Sequence, residues 1–164
     1  MEGARWLSEH EGRAWRGFQE MQMRLTAEIG HRLSARSGLS SQDYAVLVML
    51  TDQPDGRARL YQIADALGWE KSRLSHHINR MEKRGLVSKQ RCSEDGRGAD
   101  VVVTPGGREA IEEAAPGHVA DVRELFVERL TEDQLESMAA IAEAVLAGLD
   151  ELGDSSAGDP DQLA

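Results

Sequence analysis

A mainly α-helical chain with one small β-hairpin is predicted by three observations. Apolar residues recur at three- and four-residue spacing over most of the chain. Two short amphipathic stretches near 60–67 and 71–84 are joined through a glycine turn. Two β-rich runs separated by turn residues follow the second stretch directly. The 164 residues suit one domain with extensions and exclude two large ones. A composition of 40% hydrophobic and 29% charged residues belongs to a folded chain, and 4% aromatic content leaves the core to aliphatic side chains.

The first helix is expected from about Gly3 to Arg36, where Trp15, Phe18, Met21, Leu25, Ile29 and Leu33 keep helical spacing, with Gly38 as terminator. Ser40, followed by Asp43, reads as an N-cap opening a largely buried helix through Tyr44–Leu50. Gln53-Pro54-Asp55-Gly56 is turn chemistry. Leu60, Ile63, Ala64 and Leu67 then share one helix face, and Gly68 ends that helix. Leu74, Ile78 and Met81 give the next helix, from about Lys71 to Arg84, its buried stripe before Gly85. Leu86–Gln90 and Asp100–Thr104 read as strands around a loop at Ser93–Gly98, which makes a wing. Thr104-Pro105 caps and opens another helix, which Pro116-Gly117 should kink or break. Thr131-Glu132-Asp133-Gln134 is a capping box for a last helix carrying Leu135, Met138, Ile141, Val145 and Leu149. From Gly153 the residues read as a disordered tail.

The net charge of -10 argues at first against a phosphate-rich partner. Its distribution reverses that argument. Residues 1–56 carry -2, residues 57–97 carry +5 from ten basic and five acidic groups, and residues 98–164 carry -13. A basic stretch of this kind inside an acidic chain points to a local anionic partner. On the helix from Lys71, the arc opposite the apolar stripe holds Ser72, Arg73, Ser75, His76, Asn79, Arg80 and Lys83, with Glu82 only at its edge. A solvated face normally interleaves carboxylates with such groups. Their scarcity suits a helix lying in a DNA major groove, with Arg73 paired to guanine, Asn79 to adenine, and Lys83 and the serine hydroxyls to phosphates. His77 turns partly toward the core and is read as structural. Arg97, between Gly96 and Gly98 at the hairpin tip, suits a narrow A·T-rich minor groove, although Asp95-Gly96 is also ordinary turn chemistry.

The order of elements, over about residues 10–150, resembles the MarR family (multiple antibiotic resistance regulators). Glu94-Asp95-Gly96-Arg97-Gly98-Ala99 with Val103-Thr104 and Gly107 is similar to the family's D-x-R followed by L-T-x-x-G. Met81-Glu82-Lys83-Arg84-Gly85-Leu86-Val87 is similar to its L-E-K-R-G-L-V. The resemblance implies a winged helix-turn-helix flanked by N- and C-terminal dimerisation helices. Residues 1–38 would form the first dimerisation helix, 39–104 the DNA-binding domain, 105–152 the C-terminal dimerisation helices and 153–164 the tail. It also implies double-stranded DNA and a second copy of the chain as partners. DNA contacts fall to Lys71, Ser72, Arg73, Ser75, His76, Asn79, Arg80 and Lys83 on the recognition helix, and to Arg91, Asp95, Arg97 and Gly98 in the wing. A small-molecule effector would lie between the dimerisation helices and the winged domain, with Trp15, Phe18, Tyr44 and Met49 as candidate walls that core packing explains equally well.

Position 70 departs from the family's usual Ser or Asp cap, being Glu70. The reactive first-helix cysteine of peroxide-sensing members is absent. The single cysteine, Cys92, reads as a half-buried wing residue and excludes an intrachain disulfide. His10, His31 and His118 are isolated in sequence, so neither metal nor cofactor is expected. Enzymatic activity is not expected either. Ser72 and His76 lack a third catalytic group, Glu112 and Glu113 diverge along a helix, and Gly96-Arg97-Gly98 precedes a strand instead of a helix. The start of the chain has no apolar signal region, and the longest apolar run is Tyr44–Leu50, so neither export nor a membrane span is expected and the cytoplasm is the expected location. The expected function is a ligand-responsive repressor on a pseudo-palindromic operator. The alternative is a winged-helix protein-interaction module whose acidic C-terminal third contacts a partner.

Overall fold

A computed structural model describes residues 5–91 and 99–156. The chain divides into two compact units, Met1–Val122 and Arg123–Ala164.

In the first unit, α1 (Glu9–Ser37) leads to α2 (Ser41–Thr51), β1 (Arg57–Arg59), α3 (Leu60–Leu67), α4 (Lys71–Lys83), β2 (Val87–Arg91), β3 (Ala99–Val103) and all but the last three residues of α5 (Pro105–Leu125). Helix α1 begins at Glu9 and not near Gly3, because Ser8 and Glu11 close a capping box. The Glu11 N–H donates to Ser8 Oγ at 3.3 Å, and the Ser8 N–H donates to Glu11 Oε2 at 2.7 Å. That Ser-x-x-Glu signature was legible in the sequence. Ser40 caps α2 in the same way through Asp43.

The sheet has three antiparallel strands in the order β1-β3-β2. Ala58 pairs with Val101, and Lys89 pairs with the same valine from the other side. Strand β1 is the element the sequence did not announce. Arg-Ala-Arg offers one small apolar residue and too few positions for an alternation to register. It becomes a strand because the free edge of β3 supplies its hydrogen-bond partners.

The core lies where these elements meet, with Leu39, Val46, Leu47, Leu50, Ile63, Leu74, Ile78, Met81, Val87 and Val101 fully buried. Leu33 of α1 and Ile111 and Ala114 of α5 join it, so the flanking helices share the core of the winged region. The turn between α3 and α4 passes through Gly68 at φ 62°, a left-handed conformation that residues with a Cβ enter at a cost.

Helix α5 starts as its cap requires, with the Gly107 N–H donating to Thr104 Oγ1 at 3.0 Å. It then runs unbroken through Pro116, where a kink or break was expected. Proline removes one helical hydrogen bond and crowds the preceding turn, at a cost of about 3 kcal/mol. Ile111 and Ala114 are packed into the core on one side, and Asp121 is pinned by α1 on the other, so both flanks are anchored independently. The clamp consists of Arg32 Nη1 at 3.2 Å from Asp121 Oδ1, Arg36 Nη2 on Asp121 Oδ2, and Arg36 Nη1 donating to the Gly117 carbonyl at 3.1 Å. The Arg36 hydrogen bond, with Arg32 adding to it, holds the Asp121 carboxyl below its ordinary range against the opposing effect of burial.

The second unit contains a short 3-10 turn, Val127–Arg129, and α6 (Glu132–Ser156). Thr131 and Gln134 form the expected capping box, at 2.9 and 3.3 Å. Helix α6 continues past Gly153, where a tail was expected, because an established helix gains one hydrogen bond per added residue and a single glycine costs only about 1 kcal/mol. Residues 157–164 lie outside the described residues.

Candidate nucleic-acid interface

Three parallel rows run along α4, and each has a different environment. Leu74, Ile78 and Met81 are fully buried and fix the helix to the core. Ser72, His76, Asn79 and Lys83, at i, i+4, i+7 and i+11, form the row facing away from the core. Ser72, His76 and Lys83 are exposed, and Asn79 is half-buried. Between them, Arg73, His77, Arg80 and Arg84 form a third row along one flank.

That flank borders a concave cavity of about 410 Å³, whose other walls are Ser34 and Gly38 from the end of α1, Ser40, Gln42 and Asp43 from the start of α2, and Trp69. The Arg73 guanidinium lies over the Trp69 ring, 5.4 Å from its centroid, a cation–π arrangement that holds it at the cavity mouth. Arg73 and Arg80, expected among the outward readers, are exposed and stand on this flank. Lys71 is exposed in the first turn, and Ser75 is half-buried on the opposite flank. Glu70 precedes the helix and makes no side-chain cap bond, so the departure noted in sequence leaves the start of α4 without that support.

Asp43 is the residue that sequence reasoning undervalued. Read as a first-turn acid, it is also buried and joins three elements. Its Oδ2 accepts from the Ser40 N–H at 3.0 Å and from Arg84 Nη1 at 2.6 Å. Its Oδ1 lies 3.1 Å from His77 Nε2. Arg84 also donates through Nη2 to the Gly38 carbonyl at 2.9 Å, tying the end of α4 to the end of α1. Burial alone would raise the Asp43 carboxyl, yet the Ser40 and Arg84 hydrogen bonds hold it below the usual carboxylate range. The signal available in sequence was a carboxylate three residues after a serine cap, at the head of an otherwise apolar helix. A first-turn acid of that kind is normally solvated, so only the neighbouring α4 reveals its second role.

The wing meets α4 at its base. The Lys89 N–H of β2 donates to Glu82 Oε1 at 2.8 Å, and Lys89 Nζ donates to Asn79 Oδ1. Glu82, seen in sequence as an edge carboxylate, is thus committed to orienting the wing. Cys92, Asp95, Arg97 and Gly98 lie outside the described residues, and Arg91 is placed only as the last residue of β2.

The four candidate effector walls have two different surroundings. Trp15 and Phe18 stack on each other at 6.0 Å along α1 and stand 54% and 46% exposed, so they are not part of this chain's core. Tyr44 and Met49 pack against the core from α2, with the Tyr44 ring 4.4 Å from His118. Among the described residues no group of three His, Cys, Asp or Glu side chains is placed to hold a metal ion. No helix among them is long and apolar enough to cross a membrane.

Comparison with known proteins places this geometry. The model of the MarR family matches residues 37–98, a stretch that includes α2 to β2. The structure of AbsC, a MarR family transcriptional regulator from Streptomyces coelicolor, superposes with a TM-score of 0.85 at 36% identity, covering 90% of this chain and 99% of that one. The chain belongs to the MarR family. Sco3205, a MarR family regulator from the same organism solved in complex with DNA, matches at 34% identity with a TM-score of 0.85, covering 91% and 93%. The transcriptional repressor YetL of Bacillus subtilis is 26% identical over 88 residues, and this match spans about half of either chain (54% of this one, 53% of YetL). MarR proteins are transcriptional regulators and not enzymes, and the winged helix-turn-helix expected of such a member is the fold found.

Proposed function

We propose that this MarR-family protein is a homodimeric repressor that binds a pseudo-palindromic operator through α4 and the wing, with residues 39–104 as the reading domain. The observation that carries the reading is the outward row of α4, where Ser72, His76, Asn79 and Lys83 present donors, acceptors and a cation with no carboxylate among them. The relative solved in complex with DNA supports it. Asn79 is assigned to base reading and Lys83 to phosphate. Arg73 and Arg80, on the flank, are assigned to phosphates in place of the guanine contact expected for Arg73. Arg97 remains assigned to the minor groove. A cytoplasmic location follows from a DNA partner.

Duplex binding should weaken by about 10³-fold between roughly 50 and 200 mM salt if six phosphates are neutralised per dimer. Little binding to any duplex at low salt would instead favour the interaction-module alternative. Asn79→Ala should cost about 1–3 kcal/mol on the preferred site and flatten its sequence preference, whereas Lys83→Ala and Arg73→Ala should weaken all duplexes alike. Affinities for selected and scrambled sites separate these outcomes.

The homodimer is supported by apolar surface that each unit leaves bare. Helix α1 exposes Trp15, Phe18 and Met23, and α6 exposes Ile141, Val145, Leu149 and Leu152. Sedimentation at micromolar concentration should give the dimer mass; a monomer would contradict the proposal. A small-molecule effector finds its best support in the cavity along Arg73, Arg80 and Arg84, which suits an anion placed to compete with the function of α4.

A further inference from the structure

The DNA-binding assignment leaves His77 unused, although its surroundings are specific. It is 7% exposed and sits on the flank row of α4, in edge contact with the Trp69 ring at 5.5 Å. Arg80 Nη2 lies 2.9 Å from His77 Nδ1, and Asp43 Oδ1 lies 3.1 Å from Nε2. A guanidinium has only donors to offer, so Nδ1 must accept from Arg80 and carry no hydrogen. The ring is then neutral with its hydrogen on Nε2, the nitrogen that lies 3.1 Å from Asp43 Oδ1. The charged groups facing it are Asp43 from α2, Arg73 and Arg80 from its own helix, and Arg84 just beyond; α1 contributes only the uncharged Ser34 and Gly38 to this cavity.

We propose that His77 is a positioning residue for Arg80: neutral, it latches the Arg80 guanidinium against the flank of α4, and on taking up a proton it releases that guanidinium toward the DNA backbone. Protonation places an N–H on Nδ1, opposite a group that can only donate, so the contact cannot survive it. A phosphate approaching the flank offers Arg80 a better acceptor and vacates Nδ1, so DNA binding and proton uptake favour each other by linkage. Burial, reinforced by Arg80 and Arg73, already holds the ring below the ordinary histidine range despite the pull of Asp43. The latch is therefore closed near neutrality and opens with acid unless DNA is present. It requires the α4 flank to meet phosphate, and so rests on the proposed DNA function.

The test separates the two. In the full-length protein, the nitrogen shifts of His77, assigned by their loss in His77→Gln, should show the tautomer protonated on Nε2, and the ring should titrate below the ordinary histidine range. Arg80→Ala should raise that midpoint. A hydrogen on Nδ1, or a midpoint unmoved by Arg80→Ala, would overturn the latch without reference to DNA. The second measurement follows anisotropy of a fluorescein-labelled 40-bp mixed-sequence duplex between about pH 5 and 8. Wild-type affinity should rise several-fold on acidification, and His77→Gln and Arg80→Ala should each reduce that rise while still binding at the upper end. An acid response unchanged in both variants overturns the coupling. No duplex binding at any pH overturns the DNA reading of α4 and leaves the tautomer result to stand or fall alone.

Discussion

Gly107→Ala should lower the melting temperature by about 6–12 °C, a loss of roughly 3 kcal/mol or more in a chain of this size. The direction is opposite to the usual one, since alanine is a better helix former than glycine by about 1 kcal/mol. Gly107 lies in the first turn of α5, where the helix crosses the start of β2. A Cβ there would fall far inside contact distance of the Leu86 carbonyl oxygen and within 3.0 Å of both the Leu86 carbonyl carbon and Val103 Cγ2. The same carbonyl accepts from the Thr104 N–H at 3.2 Å, so moving it also disturbs the cap of α5. Gly17, on α1, has no atom within 4 Å of an added Cβ, and Gly17→Ala should be neutral or slightly stabilising. Thermal melts by circular dichroism at one fixed protomer concentration compare the two. A Gly107→Ala protein that melts with the wild type would show that the α5 crossing is not tight. The glycine of the L-T-x-x-G motif thus has a packing reason, since only hydrogen fits between α5 and β2.

Asp43→Ala should cost about 3 kcal/mol, the lower end of the range for removing one partner of a buried ion pair. Ser40 loses its reciprocal cap partner, His77 loses the carboxylate beside Nε2, and Arg84 loses its ion pair. Arg84 is 44% exposed and can recover water, which keeps the loss from being larger. Urea denaturation at several pH values supplies a second check. Asp43 is held below its ordinary carboxylate value of 3.8, so its contribution is present above that value and disappears as pH falls through the lower folded value. His77 is held below its ordinary 6.5, so the folded protein resists protonating it, and stability falls as pH drops from about 6.5 downward. Both groups therefore make acid destabilising. Asp43→Ala should flatten the acid limb below about pH 4; an unchanged acid limb would mean that Asp43 is not the group titrating there.

What was legible in advance followed from local physics. Leu74, Ile78 and Met81 sit at helical spacing, and all three are fully buried. Ser40, Thr104 and Thr131 are caps whose partners lie three residues away, so a short window contains the whole interaction. Strand β1 was not legible because its partner, β3, lies more than forty residues downstream. Pro116 argued for a kink or break, and α5 continues as one helix because the clamp on Asp121 comes from Arg32 and Arg36, far away in sequence. The polar face of α4 was legible as a set of residues and not as an arrangement. A helical wheel puts Arg73 and Arg80 on the outward arc, and both are exposed, but the end of α1 and the start of α2 border the flank on which they stand.

The sequence by itself determined the order of helices, the buried stripe of α4, the basic character of residues 57–97 and the family motifs, because these depend on residues within a few turns of one another. Only the tertiary structure decided that Asp43 is a junction and not a solvated acid, that His77 lies between a carboxylate and a guanidinium, and that the α4 cations divide between an outward row and a flank bordering a cavity. The physical reason is that a side chain's charge and hydrogen-bond roles are set by what surrounds it, and around α4 those neighbours come from α1 and α2, some forty residues earlier in the chain.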